Sequence, residues 1–269
     1  MAVLEYDRVE GWEPLFDAWM AEIAPADVLQ ETASPQEYIE DAGALFLDGI
    51  GKDELTEFLG EKLAPHSLQV FHGTRVSDAT LSAIRREGLK PLSLAGRRAT
   101  LVAELQDHPR WRECEPRLDA ALHRFGPGWE RGGAGKREDD AVHACLSRNG
   151  LVKGCNHYLT HGAEVDNHIV REVFGDDSGL DLLAAKRKPY LISFALNFAA
   201  AEAAANPHGL RYEGLPFVTQ KFLNAWAFRL GNRQWQPAGA RISDALMVSG
   251  GVAPDRLTIE PLTDADLQR

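Results

Sequence analysis

Apolar residues recur at spacings of three and four along the first 65 positions of the chain. The stretches WEPLFDAWMAEI, PQEYIEDAGALFLDGIG and DELTEFLGEKL follow this spacing, and Pro25, Pro35 and Pro65 separate or end them. The spacing predicts amphipathic helices, because it places the apolar side chains on one helix face. We therefore expect residues 1–65 to form a helical N-terminal segment.

The pattern changes after residue 66. The run LQVFHGTRV is short, apolar and rich in strand-favouring residues, and it predicts a buried strand that ends near His72, Gly73 and Thr74. The stretch DATLSAIRREGLKPL predicts a helix that begins after Ser77 and ends at Gly88, where a glycine provides the C-terminal cap.

Residues 98–124 and 138–149 have helical spacing, and the glycine-rich GPGWERGGAGKRED between them predicts a mobile loop. The last third consists mainly of short β-type runs: NHYLT, PYLISFAL, AWAFRL, ALMVSG and RLTIEPL. A helical lead, a strand, a helix, a helical insertion and then mostly strands indicate an α+β fold rather than regular βαβ alternation.

Composition and charge narrow the function classes. The 269 residues are 44% hydrophobic, which suffices for a folded core, and the net charge of −11 disfavours non-specific nucleic-acid binding. Three cysteines without a CxxC pair disfavour a disulfide scaffold and a thiolate zinc site. The sequence shows no signal peptide and no run of about 20 apolar residues, so we expect a cytoplasmic protein without membrane contact.

Three segments carry candidate chemistry. The first is HGT at residues 72–74, with the helix and GLKP turn that follow it. The second is GCNHYLTHGAEVDNHIVREVFG at residues 154–175, in which Tyr158 and Thr160 lie on the same side of the expected strand. The third is RISDALMVSGGVAPDRLTIEPL at residues 241–262, which reads as a strand, a loop with Pro and a closing strand. In this order the segments resemble the ADP-ribosyltransferase superfamily, in the His-Tyr-Glu branch that includes the poly(ADP-ribose) polymerases.

The resemblance implies a split β-sandwich core over residues 66–269, with a helical insertion at about 92–150 and NAD bound between two small sheets. In that family the histidine binds ribose hydroxyls, the main chain of the next glycine holds the carboxamide, and the tyrosine stacks on nicotinamide. Glycine also lets a flat ligand approach the main chain closely. The NAD-binding candidates that follow are His72, Gly73, Thr74, Tyr158 and Thr160.

The family's catalytic glutamate has no direct counterpart here. It stands three residues before a strand valine that aligns with Val248, and that position is Ala245. Asp244 is adjacent and would face the cleft if a β-bulge turned it inward. Glu164, at the start of the second segment's helix, is the other candidate. The resemblance thus implies Asp244 or Glu164 as the catalytic carboxylate.

The expected function is mono-ADP-ribosyl transfer, with NAD as a substrate and a protein, nucleotide or nucleic acid as the acceptor. One alternative is an inactive module that binds NAD or ADP-ribose, which Ala245 would explain; another is an NAD glycohydrolase. A relative of the tRNA 2′-phosphotransferases is disfavoured by the charge of −11. His157, His161 and His168 have neither an HExxH pattern nor a cysteine partner, so no metal site is expected.

Overall fold

The computed structural model describes residues 2–34, 42–125, 141–210, 214–237 and 245–267. This part of the chain combines helices with a β-sheet, which confirms the predicted mixture of α and β structure. Its helices are α1 (Glu13–Ile23), α2 (Ala26–Thr32), α3 (Ala44–Ile50), α4 (Lys52–Leu63), α5 (Asp78–Glu87), α6 (Leu94–Leu105), α7 (Trp111–Cys114), α8 (Leu118–Phe125), α9 (His157–His161), α10 (Glu164–Phe174), α11 (Ser178–Lys186), α12 (Phe198–Ala205) and α13 (Phe217–Gly231). Its strands are β1 (Val3–Leu4), β2 (Ser67–Val76), β3 (Ala141–Cys145), β4 (Lys188–Asn197), β5 (Ala245–Ser249) and β6 (Thr258–Pro261). Within these ranges no helix has the length and apolar character needed to span a bilayer.

The described strands form one sheet in the order β5-β3-β2-β4-β6, with β1 paired to β2. The resemblance had implied two small sheets. Strands β4 and β6 run antiparallel, with Ile192 opposite Ile259, whereas β1 runs parallel to β2.

The third sequence segment forms the two predicted strands, β5 and β6, but they do not pair with each other, because they lie at opposite ends of the sheet order. After β5 the chain pairs instead with Leu89, two residues after the end of helix α5. The main-chain groups of Val252 and Leu89 exchange two hydrogen bonds, of 2.8 and 2.9 Å. This bridge carries the chain away from β5, and β6 then joins the far edge of the sheet.

Several local predictions are confirmed. Helices α1 to α4 occupy most of the described part of residues 1–65, and α6 to α8 occupy most of residues 98–124. Helix α5 begins after Ser77, whose hydroxyl accepts a hydrogen bond from the main-chain nitrogen of Thr80. It ends at Gly88, which has a φ of 83°, a conformation that glycine adopts without strain.

Three other local predictions are wrong. NHYLT lies in α9 and AWAFRL in α13, although both were expected to be strands, and residues 141–145 form β3 rather than a helix. AWAFRL is mostly buried, and a continuous apolar run fits a buried helix as well as a buried strand. The glycine-rich stretch at residues 126–139 lies outside the described residues.

Contacts along the chain divide it into two compact units. The first comprises Met1–Val70, Cys145–Asn149 and Ala195–Leu246. Aromatic side chains fill its core. Phe16 stacks on Phe222 with 6.2 Å between ring centroids, and Phe46 packs 5.3 Å from Trp226.

The second unit comprises Phe71–Ala144, Gly150–Phe194 and Met247–Arg269, and it contains every NAD-binding candidate. Its helical core joins the insertion helices α6 to α8 to helices α10 and α11. The buried side chains of this core are Leu101, Leu105, Trp111, Cys114, Leu118, Ala121, Leu122, Ile169, Val170, Val173, Phe174 and Leu183.

Helix α13 in the first unit depends on a cap from another helix. The Oε2 atom of Glu202 in α12 accepts a hydrogen bond from the main-chain nitrogen of Val218 (3.0 Å). Its Oε1 atom accepts from the main-chain nitrogen (2.7 Å) and the hydroxyl (2.8 Å) of Thr219. Pro216, which precedes α13, offers no side-chain cap. The carboxylate therefore pairs amides that the helix leaves open and lies at the positive end of its dipole.

We expect Glu202→Ala to lower the free energy of unfolding by about 1.5 kcal/mol, as loss of a helix cap does. Glu202→Gln should cost less, because its amide oxygen still accepts. The exposed Glu57 of α4 is the control, and Glu57→Ala should change stability by less than about 0.5 kcal/mol. Urea unfolding monitored by circular dichroism measures all three. Equal values for Glu202→Ala and Glu57→Ala would show that the cap contributes nothing.

Candidate functional site

Strand β2 carries the first candidate segment. The strand continues to Val76, so His72-Gly73-Thr74 lies inside it. The prediction that these residues lie at the end of the strand is therefore wrong. Successive side chains of a strand point to opposite faces. His72 and Thr74 therefore share one face of β2, and Gly73 and Arg75 share the other.

The ring of His72 is held in one tautomer. Its Nδ1 atom lies 2.7 Å from the main-chain oxygen of His143 on β3. Because a carbonyl only accepts, Nδ1 carries the proton, and Nε2 of the neutral ring is an acceptor. Within the described residues Nε2 has no hydrogen-bond partner.

Burial lowers the pKa of His72 below 6.5, its ordinary value, and the nearby His143 ring acts in the same direction. The hydrogen bond to the His143 carbonyl opposes this shift without reversing it. The imidazole is therefore neutral at neutral pH, and Nε2 presents a lone pair that fits a hydroxyl donor.

Gly73 brings strand β2 against helix α9. A Cβ atom at this position would lie 3.0 Å from Leu159 Cγ and 3.2 Å from Leu151 Cδ1. The close approach that we assigned to a flat ligand is thus made, on this face, by leucine side chains. Gly73 of the first sequence segment and Leu159 of the second, more than 80 positions apart in the chain, meet at this contact.

Three hydrogen bonds surround the contact. The Nη1 atom of Arg75 donates to the main-chain oxygen of Leu159 (3.4 Å) and to Asp264 Oδ1 (2.8 Å). The side-chain nitrogen of Asn156, just before α9, donates to the main-chain oxygen of Leu267 (2.9 Å). The turn at Asp264–Leu267 is therefore tied both to β2 and to the start of α9.

Tyr158 and Thr160 lie on α9, not on a strand. Residues two apart in a helix are separated by about 200° around its axis. Tyr158 and Thr160 therefore point to different sides, and the prediction that they share one side is wrong. The Tyr158 ring packs at a tilt against His157, with 4.1 Å between centroids. The Thr160 hydroxyl donates to the main-chain oxygen of Asn156 (3.0 Å).

Of the two carboxylate candidates, Glu164 lies within the described residues and Asp244 does not. Glu164 is the first residue of α10, and its side chain is exposed. Asp244 lies outside the described residues. Ala245, at the position of the family's glutamate, is exposed at the start of β5.

The structure adds a buried ionic cluster that the sequence analysis missed. Arg187, just before β4, donates from Nε (2.8 Å) and Nη2 (2.5 Å) to Glu104 Oε2, and from Nη1 to Asp166 Oδ2 (2.8 Å). Arg97 also donates to Asp166 Oδ2 (3.2 Å). Burial acts to lower the pKa of Arg187, but the two carboxylates outweigh it and raise that pKa above its ordinary value.

A sequence signal for this cluster exists. Asp166 shares the apolar stripe of α10 with Ile169 and Val170, and Glu104 lies beside Leu101 on the buried face of α6. A carboxylate at such a position is buried and requires a partner. The identity of that partner is not evident from the pattern.

Two cavities bear on ligand size. One of about 30 Å³ lies beside the ionic cluster, and Thr74, Arg75, Glu104 and Asp166 help to line it. It has room for a water-sized group and not for a dinucleotide. An open groove of about 370 Å³ in the first unit runs between α4 and the N-terminus of α13 and contains none of the candidates. In the described ranges no three His, Cys, Asp or Glu side chains are grouped to hold a metal ion.

Comparison of the chain with family models, with curated proteins and with solved structures finds no match.

The contact at Gly73 predicts a specific mutational pattern. Gly73→Ala should lower the free energy of unfolding by about 2 kcal/mol, because its Cβ forces Leu159 and Leu151 apart. Gly60 in α4 has open space around the same position, and Gly60→Ala should stabilise the chain by about 0.5–1 kcal/mol.

A double-mutant cycle in urea isolates the contact. In a Leu159→Ala background, Gly73→Ala should cost less than about 0.5 kcal/mol, since neighbouring substitutions are not additive. A full cost in that background would mean that Gly73 does not pack on Leu159.

Proposed function

We propose that the chain is a mono-ADP-ribosyltransferase that takes NAD as a substrate and transfers ADP-ribose to a macromolecular or small-molecule acceptor in the cytoplasm. The observation that supports this most is the environment of His72. A neutral imidazole with a fixed Nδ1 proton and an open Nε2 acceptor suits a ribose hydroxyl, which donates to it. The sequence resemblance supplies the choice of NAD.

The second segment lies next to this strand through the Gly73–Leu159 contact, on the face of β2 opposite to that of His72. The role of Tyr158 in the proposal, stacking on the nicotinamide ring, therefore comes from the sequence resemblance. Thr74 lies on the same face of β2 as His72 and adds a hydroxyl beside the ribose. Thr160 is a weaker candidate, because its hydroxyl already donates within α9.

The proposed reaction breaks the bond between nicotinamide and C1′ of the ribose. Nicotinamide leaves with the bonding electron pair, and positive charge develops on the ribose, as in glycoside hydrolysis. The acceptor's nucleophile then forms a bond to C1′ and loses a proton. A carboxylate at the ribose 2′-hydroxyl stabilises the developing charge, and Asp244 and Glu164 are the candidates for it.

A second candidate function follows from Ala245. If no carboxylate stands at the ribose 2′-hydroxyl, the domain binds NAD or ADP-ribose without turning it over. If water is the acceptor, the chain is an NAD glycohydrolase. Neither alternative changes the proposed role of His72.

The proposal predicts that NAD binding depends on His72. His72→Ala should weaken NAD binding about 5- to 150-fold, the equivalent of one to two hydrogen bonds. His208→Ala, which removes an exposed histidine of the first unit, should leave the affinity unchanged. Isothermal titration calorimetry measures both. Equal NAD affinity for His72→Ala and the parent would reject the site.

Incubation with labelled NAD tests the reaction itself. Label on a macromolecule or small acceptor indicates transfer, free ADP-ribose indicates hydrolysis, and intact NAD with measurable binding indicates the binding module. A parent protein that neither binds nor consumes NAD would reject all three.

The carboxylate is tested by Asp244→Ala and Glu164→Ala. The one that acts should lower turnover about 100-fold and leave NAD affinity nearly unchanged, because it stabilises the charged transition state more than bound NAD. Glu172→Ala on the same helix as Glu164 is the control, since Glu172 is exposed and pairs with the exposed Arg124. Full activity in both single variants would place the catalytic carboxylate elsewhere.

A further inference from the structure

Arg187 connects two helices that belong to different sequence segments. Its side chain is 4% exposed, and its guanidinium bonds to Glu104 of α6 and Asp166 of α10 at the same time. Helix α6 belongs to the insertion, whereas α10 follows directly from the second segment. One buried cation therefore links the insertion to the helix that begins after Tyr158.

The same guanidinium lies against the turn between α9 and α10. Gly162 in this turn has a φ of 79°, and a Cβ there would lie 3.2 Å from Arg187 Nη1 and 3.4 Å from the main-chain oxygen of Arg75. The Gly162 nitrogen donates to the main-chain oxygen of Tyr158 (3.1 Å). The end of α9 is thus packed between Arg187 and strand β2.

The neighbouring residue strengthens the link to the insertion. Lys186 Nζ donates to the main-chain oxygen of Glu104 (2.7 Å) and to Asp107 Oδ2 (2.7 Å). Arg97, also in the insertion, shares Asp166 with Arg187. Both sides of the cluster therefore include insertion residues.

We infer that Arg187 is a positioning residue that holds the α9–α10 turn, and with it Tyr158, against strand β2, and that it ties this arrangement to the insertion helix α6. The part of this inference that concerns NAD rests on the proposed function. The part that concerns the placement of α9 does not.

The geometry requires arginine and not lysine. Arg187 uses three of its donor nitrogen atoms in two directions, toward Glu104 and toward Asp166. A planar guanidinium presents these donors as a rigid fork, whereas an ammonium is a single point charge on a flexible stem. Arg187→Lys keeps the charge and loses one side of the bridge.

The control variant comes from the first unit. Arg229 is 7% exposed and donates from Nε and Nη2, each at 2.9 Å, to the two carboxylate oxygens of Glu13. Arg229→Lys therefore removes a similar buried fork in the unit that contains none of the NAD-binding candidates. Asp166→Asn is a second test variant, because it keeps the shape of the side chain and removes its charge.

Hydrogen–deuterium exchange of the full chain, without ligand, measures the placement of α9. In Arg187→Lys the amides of Thr160 and Gly162, bonded to Asn156 and Tyr158, should exchange at least about tenfold faster than in the parent, since they lie in a short helix that opens locally. Asp166→Asn should act in the same direction. Arg229→Lys should change these amides by less than about twofold.

Equal exchange at these amides in Arg187→Lys and Arg229→Lys would overturn the inference, whether or not the protein binds NAD. If the parent binds NAD, Arg187→Lys should weaken that binding about tenfold and Arg229→Lys should not. Faster exchange with unchanged NAD affinity would remove α9 from the NAD site and overturn the functional half. If the parent binds no NAD, the proposed function is wrong. The exchange rates of the parent and its variants then still test the placement of α9.

Discussion

The candidate site depends on the close approach of strand β2 to helix α9 at Gly73. Protein interiors are packed so tightly that one added methyl group displaces its neighbours, and a Cβ here would stand 3.0 Å from Leu159. The hydrogen bond from Arg75 to the Leu159 carbonyl forms beside this contact. Asp264 reaches Arg75 from the C-terminal turn. A single missing side chain thus allows three distant segments of the chain to meet.

The buried cluster around Arg187 determines how helices α6 and α10 are oriented beside this contact. Taking a cation out of water costs several kcal/mol, and the cost is offset only where the geometry of its partners is good. Glu104 and Asp166 each stand on an otherwise apolar helix stripe, so only one arrangement of α6 and α10 lets Arg187 satisfy both. The apolar core between the insertion and α10 favours their association, and the charges select the register.

The sequence predicts the elements whose signals are local. Helix α5 could be placed within a residue, because Ser77 and Gly88 determine its ends by their own backbone and side-chain chemistry. Helix α9 could not, because the contacts that hold it come from Gly73 and from the C-terminal turn. The order of the strands and the partner of Asp166 could not be predicted from the sequence either. Glu104 and Arg187 are 83 positions apart, and nothing in their local patterns connects them.

The charge balance of the cluster also bears on catalysis. A carboxylate that stabilises a developing positive charge must not already be paired with another cation. The carboxylates of Glu104 and Asp166 already form ion pairs with Arg187 and Arg97. The proposed transfer reaction therefore needs a carboxylate outside the cluster. Glu164 begins the helix that Asp166 anchors, so the interactions that neutralise Asp166 also determine where Glu164 stands. The cluster thus fixes the position of helix α10, and a carboxylate outside the cluster supplies the catalytic charge.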